Sequence, residues 1–269
     1  MNTTTSCLLD WSACSDLGQR RSNNEDFWGV WTPGEAPASV AAGVVPLSGA
    51  GLLLAVSDGM GGAEGGEVAS HFCITRLAEH LKKRREAADP VDALVKCFAG
   101  VHEELFAKAE EEAGLRGMGA TLSALWLRPD AAFYCHVGDS RIYHRHDGEW
   151  RQVTDDQSVG AGMVRRGEMT EEAVRRLRYR SMLEQVMGGD GAPIDPQAGR
   201  IEWTADSRFV LCSDGLYGPL REQLAGGLDA AFGGELAVGA KSLVDAANAA
   251  GGPDNITVIL ARFVPKSST

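Results

Sequence analysis

The sequence predicts an α+β fold: a central antiparallel β-sandwich flanked by helices on both faces, layered α-β-β-α. Three observations carry this. Short apolar strands occupy both ends of the chain. Two long amphipathic helical stretches separate the first strands from the next group. A second run of strands followed by helices fills the remainder.

The opening strands are CLLDWSACSD and EDFWGVW, both short and rich in apolar or aromatic residues. Residues Ala36 to Ser57 carry no charge. Glycines, serines and Pro46 interrupt them, so they read as a flexible hairpin leading into GLLLAVS rather than a membrane span. GLLLAVS is a continuous apolar run, as a strand buried on both faces requires. A helix is expected from Glu64 to about Glu86, with Val68, Phe72, Thr75, Leu77, Ala78 and Leu81 on or near one face. Its acidic start and KKRR end both complement the helix dipole. A second helix starts with Asp89 as N-cap and Pro90 at the first helical position. His102 lies on its apolar stripe and reads as a core or boundary histidine.

Strands resume at ATLSALWL, AAFYCHVG, SRIYHRH and EWRQVT, with Arg128-Pro129-Asp130 and Asp147-Gly148 as hairpin turns. A polar helical segment is expected over roughly 158–183, with Thr170, Glu171 and Glu172 as start signals. Strands GRIEWTA and SRFVLCS follow, then helices over Pro219 to Leu224 and Gly234 to Ala249, and a last strand NITVILARFV.

The chain has 269 residues, 44% of them hydrophobic, which suits one large domain or two small ones. Its formal net charge of -11 disfavours nucleic acid and anionic lipid as partners. The six cysteines show no CxxC or zinc spacing and read as reduced thiols of a cytoplasmic protein. The N-terminus lacks the basic and apolar regions of a signal peptide.

Four aspartates share one grammar: Asp58 in AVSDGMGG, Asp139 in HVGDSR, Asp214 in LCSDGL and Asp254 in GGPDNITV. In each, an apolar strand meets a turning aspartate. Singly, Asp-Gly and PDN are turn signals. Together, strand-end carboxylates can converge, and an acidic cluster repels itself unless a cation occupies it. Oxygen-only ligands select hard cations such as magnesium or manganese. Glu25 and Asp26 lie beside a strand, with Arg21 just upstream; its planar fork suits carboxylates and phosphate alike.

In order, GQRRSNNED, AVSDGMGGAEGGEVAS, GMGATLSALW, HVGDSRIY, VTDDQSV, LCSDGL and GGPDNITV resemble the PPM family of metal-dependent serine/threonine protein phosphatases (type 2C), in its compact bacterial branch. The resemblance spans about Cys14 to Phe263 and implies one phosphatase domain over 1–269, with a variable flap at about 158–183. It implies two or three Mn2+ or Mg2+ ions. Asp58 resembles the carboxylate bridging two metals, and Gly59 a backbone-carbonyl ligand. Asp214 and Asp254 resemble further ligands, and Asp139 a ligand of a third metal. Glu25 and Asp26 match the outer acidic pair acting through water, and Arg21 the phosphate-binding arginine, ahead of Arg20. The implied reaction is hydrolysis of phosphoserine and phosphothreonine by metal-activated water, without a phosphoenzyme.

The implied partners are phosphorylated proteins, the substrates of a serine/threonine kinase, and the expected state is a monomer. Two positions depart from relatives: Met60, where some carry histidine, and Gln157, where histidine is usual. The flap arginines read equally as a guide for anionic phosphopeptides and as a solvated face paired with glutamates. The alternative function is a catalytically weak, phosphoprotein-binding regulatory relative. Another two-metal hydrolase such as a nuclease, and a non-enzymatic interaction domain, fit the residues less well.

Overall fold

The structure is a computed structural model and describes residues 7–38, 40–61 and 65–265. In chain order its elements are β1 (Cys7–Asp16), β2 (Asp26–Trp31), β3 (Ala42–Pro46), β4 (Leu52–Met60), α1 (Gly65–Lys82), α2 (Pro90–Glu111), β5 (Gly119–Ala120), β6 (Leu122–Leu127), β7 (Ala132–Val137), β8 (Arg141–His146), β9 (Glu149–Gln152), α3 (Val159–Arg165), α4 (Glu171–Val174), β10 (Met187–Gly188), β11 (Gln197–Ile201), β12 (Arg208–Cys212), α5 (Asp214–Leu220), α6 (Leu224–Ala231), α7 (Leu236–Ala249) and β13 (Ile256–Pro265).

Two antiparallel sheets form. One runs β3-β1-β13-β12-β8-β9, and the other β10-β5-β4-β6-β7-β11 with β2 also paired to β4. Three apolar clusters define four layers. Leu9, Leu54, Val56, Leu125, Phe209 and Ile259 pack between the sheets. Leu53, Ile74, Leu77, Phe98, Leu105 and Trp126 join α1 and α2 to one sheet. Val210, Leu216, Leu228, Leu243, Val258 and Leu260 join α5, α6 and α7 to the other. Along β4 and β13, successive residues therefore enter different clusters: Leu53 faces the helices while Leu54 faces the opposite sheet. That period of two explains why these strands are apolar on both faces. The α-β-β-α expectation holds.

Several elements differ from the sequence reading. β3 is no hairpin partner of β4; it is the outer strand beside β1, with Leu9 opposite Val45. Its alternating exposure follows from that edge position. β4 continues through Asp58 to Met60. α1 ends at Lys82, and Glu64 lies outside the described residues. Its buried face is Ala69, Cys73, Ile74, Leu77, Ala78 and Leu81, while Val68, Phe72 and Thr75 are only half-buried. The Asp89 cap holds, with its carboxylate accepting the Val91 and Asp92 N–H groups. His102 is buried, its Nδ1 accepting the Gly188 N–H at 3.1 Å.

The 158–183 segment is two short helices, α3 and α4, and turns rather than one helix. Gly167 at φ +70° breaks it. The helix expected from Pro219 begins at Asp214 and contains Pro219, and α6 adds a helix that LAGGLDAA conceals behind two glycines. All six cysteines are free, four of them buried. No helix among the described residues is long and apolar enough to cross a membrane.

Neither Asp58-Gly59 nor Asp214-Gly215 is a turn. Each glycine lets another backbone pass: a Cβ on Gly59 would stand 1.9 Å from the Gly66 carbonyl oxygen, and one on Gly215 1.9 Å from that of Asn255. Gly226, inside α6, has open space around it. Gly215→Ala is thus expected to lower unfolding free energy by about 1–3 kcal/mol through backbone displacement. Gly226→Ala should raise it by about 0.5–1 kcal/mol through helix propensity. Urea denaturation of both variants checks the contrast; equal effects would contradict the close approach.

Candidate metal centre

Strand pairing brings the acidic groups together. In the β2–β4 register Asp26 stands opposite Asp58. Asp139 follows β7, Asp214 follows β12 and opens α5, and Asp254 precedes β13. Asp26 and Asp139 are buried; Asp58, Asp214, Asp254 and Glu25 are half-buried. Desolvation, then the neighbouring carboxylates, push the Asp58 carboxyl well above its usual range, with Asp26, Asp214, Asp139 and Asp254 all contributing. Asp139 is raised likewise, by burial and then Asp214. Burial lifts Asp26 to about 7 and Asp214 to about 6. Each shift is the response of anions crowded into low dielectric without a countercharge.

The surrounding polar groups hold this crowd in place. Ser213 Oγ donates to Asp26 Oδ2 at 2.7 Å and accepts the Thr257 N–H at 3.0 Å, tying β2 to the ends of β12 and β13. Asp58 N–H donates to Thr121 Oγ1 at 2.9 Å, and that oxygen lies 2.8 Å from Ser140 Oγ. Asn255 is buried; its Nδ2 donates to the Leu17 and Asn23 carbonyls and its Oδ1 accepts the Glu25 N–H, all at 2.9 Å. One side chain so pins the 17–25 loop, with Arg21 and Glu25, beside Asp254. Arg21 Nη2 donates to Asp254 Oδ2 at 2.7 Å and Nη1 lies 3.8 Å from Glu25. Arg20 is exposed and makes no ion pair among the described residues.

One oxygen in this cluster, Asp214 Oδ1, is buried with no hydrogen-bond partner. A buried carboxylate oxygen left unpaired costs free energy on the order of 1–3 kcal/mol or more. An all-oxygen donor set with an orphaned carboxylate and raised pKa values suits hard divalent cations. Among the described residues no three carboxylate, imidazole or thiolate groups close on one point. The acidic groups therefore span more than one bare ion's shell, and backbone carbonyls and waters are needed to complete coordination.

Three residues that the sequence reading left without a role shape the site. Arg141 donates from Nε and Nη2 to both Asp156 oxygens at 2.8 and 2.7 Å, and from Nη1 to Tyr143 Oη at 2.9 Å. Its guanidinium carbon sits 3.5 Å from the Tyr217 ring centroid, and Tyr217 Oη donates to the Asp139 carbonyl at 3.0 Å. Arg141 thereby joins the Asp139 turn, the root of segment 158–183 and α5. Gln157 supplies what its departure left open: its Oε1 accepts the Gly138 N–H and its own N–H donates to the Gly138 carbonyl, both at 2.8 Å. The same residue's carbonyl accepts the Glu184 N–H at 2.8 Å. His136, fully buried, lies 2.8 Å from Ser123 Oγ and 3.2 Å from the Asp155 carbonyl. Burial lowers it to about 4, so it stands neutral at pH 7. The Arg in GDSR was the one visible signal for this wiring. Met60 closes β4 opposite Gly119.

Comparison with known proteins finds relatives over most of the chain. A family model described as Protein phosphatase 2C matches residues 40–243. The chain is 35% identical over 257 residues, 96% of its length, to the serine/threonine protein phosphatase PstP of Mycobacterium tuberculosis, of which it spans 45%. It is 30% identical to a putative protein phosphatase 2C-type of Streptococcus pyogenes, covering 91% of this chain and 94% of that one. The crystal structure of the catalytic domain of PstP in complex with two manganese ions superposes with a TM-score of 0.77 at 32% identity, covering 96% of this chain and all of that one.

The Arg141–Asp156 pair is largely buried, so removing one partner strands the other. Arg141→Met is expected to lose about 2–3 kcal/mol of stability, and the Arg141→Met/Asp156→Asn double variant less than the sum of its parts. A denaturant double-mutant cycle measures this; strict additivity would mean the pair is not coupled.

Proposed function

Because the chain belongs to the protein phosphatase 2C family, we propose that it is a metal-dependent serine/threonine protein phosphatase. The observation that carries this reading is the strand-end carboxylate cluster with its orphaned Asp214 oxygen and Arg21 at the rim. Asp58, Asp214, Asp254 and the Gly59 carbonyl would hold two divalent ions, manganese or magnesium, with Asp139 toward a third. Glu25 and Asp26 would act from the outer shell through water. Bound ions supply Lewis acidity and an activated water near neutral pH.

The chain's own residues do the rest. Arg21 swings its fork from Asp254 to the phosphoryl oxygens, and its contribution grows as charge redistributes in the transition state. Glu25 and Asp26 accept hydrogen bonds from ordered water and so orient it. Asn255 and Ser213 keep those groups in register. Met60 offers no proton, so leaving-group protonation falls to solvent. The substrates are phosphoserine and phosphothreonine proteins made by a serine/threonine kinase. The protein acts as a cytoplasmic monomer, one domain whose 158–183 segment is a flap. The free, largely buried thiols suit a reducing compartment.

Hydrolysis of p-nitrophenyl phosphate and of a phosphothreonine peptide is expected with manganese and not with a chelator, and Asp214→Ala should lower kcat/KM by at least about a hundredfold. A folded, manganese-loaded wild type with no turnover would instead indicate a phosphoprotein-binding relative. Carboxyl groups held near pKa 6–7 must shed protons before they can hold a cation directly, as Asp214 would, or through water, as Asp26 would. Manganese binding is therefore expected to release more protons at pH 6 than at pH 8, because Asp26 and Asp214 are more fully protonated at the lower pH. Calorimetry in buffers of different ionisation enthalpy reads the count; buffer-independent heats at pH 6 would contradict it.

A further inference from the structure

Beside the carboxylate cluster lies a cavity of about 520 Å³. Asp139, Asp214 and Tyr217 line one side, and Ser158, Arg165 and Arg180 of the 158–183 segment line another. Of that segment's six arginines, Arg178 makes no ion pair among the described residues and does not line the cavity, and the other five divide into two groups. Arg166 pairs with Glu168 and Glu184, Arg176 with Glu172, and Arg175 approaches Glu171 at 3.7 Å. These are the solvated, glutamate-paired face. Arg165 and Arg180 differ. Arg165 donates to the Asp156 carbonyl at 2.5 Å and Arg180 to the Leu177 carbonyl at 3.2 Å. Among the described residues neither has a carboxylate within ion-pair distance, although both face the cavity.

We propose that this cavity receives a second anionic group of the substrate, a carboxylate or phosphoryl on a residue flanking the scissile phosphoresidue, with Arg165 and Arg180 as its partners. The inference rests on the phosphatase reading and extends it to substrate choice. A guanidinium carries five N–H donors, and one bond to a neutral carbonyl leaves most of them free. Their planar fork matches carboxylate and phosphoryl oxygens. Of the carboxylates on that wall, Asp156 is neutralised by Arg141 and Glu171 lies against Arg175. Asp155 remains, its Oδ2 accepting from Gln197 Nε2 at 3.4 Å and without a cationic partner among the described residues.

The dimensions also fit. Taken as a cube the cavity is roughly 8 Å on edge, and two residues of extended chain span about 7 Å. With the scissile group at Asp214, the second anion belongs about two residues away. The turn that carries Arg180 also exposes Tyr179 and Met182, at 48% and 60%, an apolar surface for the intervening peptide.

The test uses manganese-loaded full chain and phosphothreonine peptides that differ only two positions from the phosphothreonine, bearing Glu, a non-hydrolysable phosphonate, Ala or Lys. Wild type is expected to favour the Glu and phosphonate peptides over the Ala peptide by about tenfold in kcat/KM, equivalent to 1.4 kcal/mol, with Lys below Ala. Two anionic arms of unequal size separate carboxylate from phosphoryl preference. In Arg165→Gln/Arg180→Gln the ratio should fall toward one. A wild-type ratio near one, or a ratio unchanged in the double variant, overturns the proposal. p-Nitrophenyl phosphate turnover by wild type reports separately on the phosphatase reading. Should that turnover be absent, the same peptide ratios measured by fluorescence anisotropy decide the cavity's preference on their own.

Discussion

Everything at the functional end of this molecule answers to one constraint: five aspartates repel each other in a poorly solvated space. Left alone, such groups would separate or keep protons, and the raised carboxyl pKa values record that tension. The scaffold resists it by rigidity. Asp26 and Asp58 lie within β2 and β4, and Asp139, Asp214 and Asp254 each stand two residues from the end of β7, β12 or β13, so moving one would disturb packed interfaces. Ser213, Asn255 and Thr121 then fix the loops between them with hydrogen bonds that leave Asp214 Oδ1 free for a ligand. The fold spends its packing on keeping like charges close.

The second organising feature is the wiring around Arg141. Its fork, its stacking on Tyr217 and the Gln157–Gly138 clasp bind three segments distant in sequence: the Asp139 turn, the start of α5 and both ends of segment 158–183. That segment is irregular and charged, yet its root is anchored to groups next to the carboxylates. Arg165 and Arg180 thus stand on a frame stiff at the base and exposed at the rim.

The strand-end aspartates were legible because continuous apolar runs end or begin at them, and that pattern reflects burial on two faces. The α2 cap was legible because Asp-Pro chemistry is local. What escaped depended on tertiary partners. Asp-Gly reads as a turn, but Gly59 and Gly215 serve close backbone passage inside a strand and a helix. β3 looked like half of a hairpin because its partner β1 is some thirty residues earlier. α6 was hidden because its glycines lower helix propensity while Leu224, Leu228 and Ala231 still bury against α7. The pinning role of Asn255 needed the 17–25 loop in view, since PDN alone signals only a bend.

The register of β13 has a consequence for how the protein comes into being. This strand lies between β1 and β12, and Cys7 pairs with Pro265 while Asp16 pairs with Ile256. Its sheet cannot close around a core until residues 256–265 have left the ribosome, and contacts of such long sequence separation form slowly. Asp254 and Asn255 precede this strand directly, so the 17–25 loop stays without its Asn255 tether until residue 255 has emerged. A chain that has emerged only as far as Asp139 therefore lacks Asp214, Asp254 and the Asn255 anchor of that loop. The carboxylate cluster is assembled only once β13 has taken its place between β1 and β12.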